Sequence, residues 1–247
     1  LHIPFCLCKC HYCSFHSRAG SQELYGPYVD ALLLELTRLA EENRATAVRP
    51  GLDSLFVGGG TPTCLPSELL QRAIRFSLDL FGVRSGAEIS VEANPGTVDS
   101  RYLQLLVAAG VNRLSLGVQS FDDRELGLIG RIHNQEQACA ACTAARAAGF
   151  ENINLDLMYG LPGQTPDSWR KSLEQGLQLG VEHLSLYQLT IEPDTLFYTS
   201  LHSNTLILPG EEEILEMDEI TETLCRSAGL VQYETSNYAA QGRQCRH

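Results

Sequence analysis

Apolar and polar positions follow two periods along this chain, and the switch between them marks out its elements. Across residues 25–44, Leu32, Leu33, Leu36, Leu39 and Ala40 recur at helical spacing with charges between them. Leu69, Leu70, Ile74 and Leu78 do the same across 66–81. Further helices are predicted over 100–109, 135–148, 166–178 and 211–227, with a broken helical stretch near Gly130. Gly149 suits the C-terminal cap of the 135–148 helix, because glycine enters the left-handed region without a Cβ penalty. Between the helices lie short runs read as strands: 1–5, 53–57, 88–92, 113–118, 153–158 and 182–189. Strands alternating with helices in this way predict β-α units on a parallel sheet. Beyond that the alternation stops: 196–209 reads as an irregular connection and 230–234 as a further strand.

The unusual motifs each follow a strand. They are the crowded cysteines, Gly58-Gly59-Gly60-Thr61-Pro62, Glu92-Ala93-Asn94-Pro95, Gln119-Ser120, Asp156 and Gln188. A flat doubly wound sheet concentrates its site at one switch point. A barrel or partial barrel gathers the ends of all its strands on one rim. The spread of motifs favours the curved form.

Composition narrows the classes. The net charge of −12 argues against a general nucleic-acid binder, which needs a basic surface. There is no 18-residue apolar run, so no membrane span is predicted. No charged-then-apolar signal segment opens the chain, and a cytoplasmic setting is expected. Leu1 is not an initiator, and the sequence reads as an excerpt of a longer protein. The 9 cysteines are an odd number, which fits a reducing compartment and metal ligation better than a pairing scheme.

Four of those cysteines fall within Cys6-Leu7-Cys8-Lys9-Cys10-His11-Tyr12-Cys13. Cys6, Cys10 and Cys13 form C-x3-C-x2-C, and thiolates this close on a loop can hold a soft metal or a cluster. A disulfide framework is typical of smaller secreted domains. Structural zinc usually takes two separated ligand pairs, and no second pair of that kind is evident. Cys8 lies between the first two and could replace a neighbour as ligand. Cys139 and Cys142 form another C-x2-C, but inside an alanine-rich helical stretch, where they read as packed small residues.

The other motifs each carry two readings. Three successive glycines at 58–60 make either a tight turn or a place where a ligand meets backbone groups closely. The lysine of a phosphate-binding P-loop is absent. Glu92 is either a solvated strand end or an acceptor for hydroxyls. Gln119 offers an amide donor and acceptor, while Arg131 is either a surface residue or a partner for a carboxylate. Asp156 sits in the apolar run Ile153-Asn154-Leu155-Asp156-Leu157-Met158, so it needs partners, whether structural or from a ligand.

The cysteine loop resembles that of radical S-adenosyl-L-methionine (SAM) enzymes, in which three cysteines bind three irons of a 4Fe-4S cluster and leave the fourth open. The resemblance extends over essentially the whole chain. It includes His2-Ile3-Pro4-Phe5-Cys6, Gly58-Gly59-Gly60-Thr61-Pro62, Glu92-Ala93-Asn94-Pro95-Gly96, Gly117-Val118-Gln119-Ser120-Phe121, Gly130-Arg131-Ile132-His133 and Asn154-Leu155-Asp156-Leu157-Met158-Tyr159-Gly160. It continues through Tyr187-Gln188-Leu189-Thr190-Ile191-Glu192-Pro193 and Tyr233-Glu234-Thr235-Ser236-Asn237-Tyr238. In order and sequence these are similar to the group containing oxygen-independent coproporphyrinogen III oxidase and the HemW-type haem chaperones.

That resemblance implies an α/β fold, a partial (β/α)6 radical-SAM barrel over 1–195 with the start of a C-terminal α/β extension over 196–247. It implies a 4Fe-4S cluster on Cys6, Cys10 and Cys13. The implied SAM contacts are Gly59, Gly60, Thr61, Glu92, Gln119, Arg131 and Asp156, with Thr190 where a backbone contact to adenine is expected. Two functions go with it: haem binding and delivery to acceptor proteins, respiratory ones among them, or radical oxidative decarboxylation of coproporphyrinogen III. An electron donor such as flavodoxin or ferredoxin is implied. The oxidase motif continues to a further cysteine two residues after the third ligand, where this chain has Phe15. Haem as cargo is therefore the expected reading.

Overall fold

The computed structural model describes residues 1–42 and 51–247. Its elements are β1 His2–Ile3, β2 Phe5–Cys6, β3 Arg18–Ala19, α1 Tyr25–Glu42, β4 Leu52–Gly59, α2 Ser67–Phe81, β5 Val83–Ala93 and α3 Ser100–Ala108. There follow β6 Arg113–Gln119, α4 Asp123–Leu128, α5 Gln135–Ala148, β7 Ile153–Tyr159, α6 Pro166–Gln178 and β8 His183–Gln188. Then come α7 Leu196–His202, α8 Glu211–Ser227, β9 Val231–Glu234 and β10 Asn237–Ala239. The last two positions of the helix expected over 25–44 lie outside the described residues.

One sheet carries the order β1-β4-β5-β6-β7-β8-β10-β9. β2 and β3 pair with each other in a separate parallel sheet, β1 pairs parallel with β4, and from β4 to β8 each strand lies parallel beside its neighbour in the chain. β10 then pairs antiparallel with β8, and β9 antiparallel with β10. Winding in one direction, with a helix after each strand, builds the expected partial barrel rather than a doubly wound sheet.

The strands alternate with period two, and that alternation decides where the core lies. On β6, Leu114, Leu116 and Val118 are fully buried on the helix side. Ile89 and Val91 of β5, Leu155 and Leu157 of β7, and Leu184 and Leu186 of β8 join them. The intervening residues are polar: Glu88, Ser90 and Glu92, then Arg113 and Ser115, then Asn154 and Asp156, then His183 and Ser185. The concave face is therefore hydrophilic, while apolar surface is buried between sheet and helices at about 25 cal/mol per Å². Trp169 of α6 is wholly buried there, its Nε1 donating to Thr221 Oγ1 of α8 at 2.9 Å.

Caps agree with the sequence. Asn134 and Gln137 form a capping box at the start of α5, and Gly149 ends it at φ 104°. Thr165 and Ser168 do the same for α6, with Pro166 in its first turn. The irregular connection expected over 196–209 is corrected in part, since 196–202 is helical: Thr195 accepts from the Tyr198 amide at 3.1 Å and starts α7. β10 was not expected as a strand. It is three residues long, below what periodicity can register.

Candidate functional site

The C-terminal ends of the strands surround a cavity of about 340 Å³. Cys6, Cys10, Cys13, Thr61, Glu92, Gln119, Arg131, Asp156 and Thr190 all line it, though they span most of the chain. Gly59 and Gly60 do not. Their closeness is to the cysteine-bearing strand instead: a Cβ on Gly60 would stand 2.6 Å from Phe5 O and 2.7 Å from Cys6 Sγ. The Gly60 and Thr61 amides donate to Ile3 O at 2.8 Å and Phe5 O at 2.7 Å. Glycine here lets β4 and its turn lie directly against the root of the cysteine loop.

The loop itself is clamped from across the barrel. The His11 amide donates to Ile129 O at 3.0 Å, and His11 Nδ1 lies 2.8 Å from Leu128 O. The Phe197 amide donates to His11 O at 3.0 Å. Arg131 Nη1 donates to Cys10 Sγ at 3.4 Å, and its Nη2 donates to Gly117 O. His11 was not singled out by sequence reasoning, because its role depends on residues more than a hundred positions away.

Cys6, Cys10 and Cys13 are free thiols. Among the described residues no three Cys, His, Asp or Glu side chains are drawn into a preformed metal site. The donor set nonetheless suits a soft cluster: three unpaired thiols on one clamped loop, all lining one cavity. Cys8 is exposed and also lines the cavity, as does Phe15, which is 64% exposed.

Glu92 accepts from the Gly59 amide at 3.2 Å. Burial, followed by the nearby Asp156 carboxylate, pushes its pKa up to about 7, against the Gly59 amide and Arg113. Asp156 is also raised by burial, although Asn154 Nδ2 at 2.8 Å and Ser115 Oγ at 3.1 Å donate to it. The partners its apolar surroundings demanded are thus present. Gln119 has φ 72°, a left-handed conformation uncommon for a non-glycine residue, at a register shift in the β6–β7 ladder. Buried His133 places one ring nitrogen 3.1 Å from Asn94 Oδ1 and the other 3.0 Å from Val118 O, joining two motifs behind the cavity. Met158, Tyr187 and Leu189 add lining that the sequence reading did not select.

The Radical SAM superfamily matches residues 1–176, and the chain belongs to it. That superfamily implies a 4Fe-4S cluster and bound SAM. Over its full length the chain is 41% identical to the heme chaperone HemW of Bacillus subtilis and 40% identical to that of Escherichia coli. It spans 64% of the length of each of these two relatives. Among solved structures, coproporphyrinogen III oxidase (HemN) from E. coli, a radical SAM enzyme, superposes with a TM-score of 0.87 at 30% identity. That match covers 98% of this chain and 55% of the oxidase. Elp3 of Methanocaldococcus infernus, at 19% identity and a TM-score of 0.63, shares the fold.

Proposed function

We propose that this chain is the barrel portion of a haem chaperone of the HemW type, which binds haem and passes it to acceptor proteins, respiratory ones among them. The observation that carries the choice is Phe15. It lines the mouth of the cysteine cavity at the position where the oxidase motif carries a further cysteine. A benzyl group neither ligates iron nor donates a hydrogen bond as a thiol can. The full-length identity to HemW relatives supports the same reading.

In this reading Cys6, Cys10 and Cys13 hold the 4Fe-4S cluster, while Glu92, Gln119, Arg131 and Asp156 meet SAM from four different strand ends or loops. Gly59, Gly60 and Thr61 shape the edge of the SAM site, and Thr190 faces the adenine. When bound, the cluster supplies one-electron chemistry, for which a flavodoxin or ferredoxin is the expected donor. Arg131 and the His11 clamp hold the loop to the rim, and Glu92 accepts hydroxyl hydrogen bonds. Residues 1–195 form the barrel unit and 196–247 open a C-terminal region. The free thiols suit a reducing cytoplasm. Among the described residues no helix is long and apolar enough to cross a membrane.

The test uses the full-length protein, anaerobically reconstituted. It is expected to bind haem stoichiometrically and to leave coproporphyrinogen III unchanged in the presence of SAM and reductant. Release of carbon dioxide with formation of protoporphyrinogen would overturn the chaperone reading in favour of the oxidase.

A further inference from the structure

Below the rim, the hydrophilic bore of the barrel holds a second cavity of about 310 Å³. Glu92, Asp156 and Tyr187 line both cavities and form the partition between them. Arg113, the first residue of β6, faces this lower cavity and is only 2% exposed. Its Nε has no hydrogen-bond partner. A buried guanidinium is costly unless charge opposes it, and a buried carboxylate is costly for the same reason.

The register explains why these groups meet. Ser115, two residues after Arg113 and on the same face of β6, pairs with Glu92 of β5 and Asn154 of β7. Gly117, two residues further, pairs with Asp156. Gly117 has no side chain, so no β6 group stands between Arg113 and the partition except the Ser115 hydroxyl, which is already directed at Asp156.

Among the other charged or titratable groups near the partition, His2 and His16 line a neighbouring cavity together with Glu92, and His2 Nε2 lies 2.9 Å from His16 O. Glu88 Oε1 already accepts from Ser90 Oγ at 3.0 Å and the Arg246 amide at 3.2 Å. Glu234 accepts from Asn237 and is exposed. Burial holds Tyr187, Tyr233 and Cys245 in their neutral forms. His183, beside the bore, is neutral as well, because burial lowers it to about 3. His247 lines the cavity stacked on Phe56. Arg131 approaches from above, but its terminal nitrogens are directed at Cys10 and the Gly117 carbonyl.

We propose that Arg113 is a positioning residue for the SAM site: from the floor of the bore its guanidinium keeps Glu92 and Asp156 in their charged, hydrogen-bond-accepting form. The proposal deepens the reading in which Glu92 receives the ribose hydroxyls of SAM, and rests on it. Glu92 raised to about 7 stands at the edge of protonation at neutral pH, with Arg113 among the groups that hold it down. Without that charge, the mutual repulsion of the two carboxylates pushes a proton onto one of them.

The experiment compares reconstituted wild-type protein, Arg113→Met and Arg113→Lys. SAM affinity is measured from about pH 6 to about pH 9, spanning the range around the Glu92 midpoint. In parallel, infrared difference spectra follow the protonated-carboxyl band. In wild type, affinity falls below about pH 7. In Arg113→Met the fall begins at higher pH, costing about tenfold at a fixed pH for each unit the midpoint moves, and affinity recovers at the alkaline end. A protonated-carboxyl band appears above neutral pH in Arg113→Met and disappears when Glu92→Gln or Asp156→Asn is added, and Arg113→Lys restores the wild-type profile. If Arg113→Met does not fold, Arg113→Gln carries the same infrared comparison. A loss of affinity equal at all pH values, or no new carboxyl band, would overturn the proposal. Failure of wild-type protein to bind SAM would instead defeat the SAM-site reading, and the infrared band would still decide the role of Arg113.

Discussion

Arg131 Nη1 donates to Cys10 Sγ across 3.4 Å, joining residues 121 positions apart. The guanidinium is also anchored by Gly117 O, so the connection between α4 and α5 grips the cysteine loop. Sequence order places these two segments far apart, and only the rolled sheet makes them one rim.

Arg131→Ala removes this contact, and Glu92→Ala removes an acceptor on β5 that lines the same cavity. Each is expected to weaken SAM binding by roughly one to two decades, the value of a hydrogen bond to a charged group at about 1.5–3 kcal/mol. Titration of the reconstituted variants with SAM checks this. Affinity unchanged in both would show that neither residue meets the ligand.

Gly60→Ala is expected to fail for a steric reason. The new Cβ meets the Phe5 carbonyl at 2.6 Å, a backbone atom that cannot swing aside, and Cys6 Sγ at 2.7 Å. The variant should retain its helical signal but incorporate little iron on reconstitution. Gly26→Ala serves as the comparison, because nothing lies within 4 Å of the added carbon in α1. There the substitution should be neutral or stabilising by up to about 1 kcal/mol. Iron content and thermal unfolding of the two variants distinguish them, and equal iron in both would contradict the packing argument.

The regular framework was legible in the sequence because helix periodicity and strand alternation are local. The 135–148, 166–178 and 211–227 helices match α5, α6 and α8 to the residue. α7 was not legible: seven residues carry little periodicity, and its start depends on the Thr195 cap. Of the site, the cysteines could be found from their spacing and Asp156 from its place in an apolar run, while Glu92, Gln119 and Arg131 were singled out by the resemblance. His11 and Arg113 could not be found in either way. His11 acts through backbone carbonyls at 128 and 129, and Arg113 through a cavity that exists only once the strands are paired. The glycines at 59 and 60 carry two readings in the sequence, a tight turn or a ligand edge, and the close packing of Ile3, Phe5 and Cys6 atoms against them was not legible there.

Protonation of Glu92 also couples to stability. Its folded value of about 7 lies above the ordinary 4.5, so its contribution is present at pH below the unfolded value and is lost as pH rises through about 7. Asp156 is displaced in the same direction. The unfolding midpoint of the cluster-free chain in urea should therefore fall with rising pH across this window, relative to Glu92→Gln. Parallel curves for the two proteins from about pH 4.5 to about pH 7.5 would show that Glu92 is not displaced.

The central claim is that three particular thiols on one clamped loop hold the cluster, and single-cysteine replacement tests it most directly. Cys6→Ala, Cys8→Ala, Cys10→Ala and Cys13→Ala are reconstituted anaerobically, and iron, sulfide and visible absorbance are measured. The account predicts that Cys8→Ala keeps the cluster while Cys6→Ala, Cys10→Ala and Cys13→Ala lose it. Loss of the absorbance in Cys8→Ala, with retention in Cys10→Ala, would contradict it.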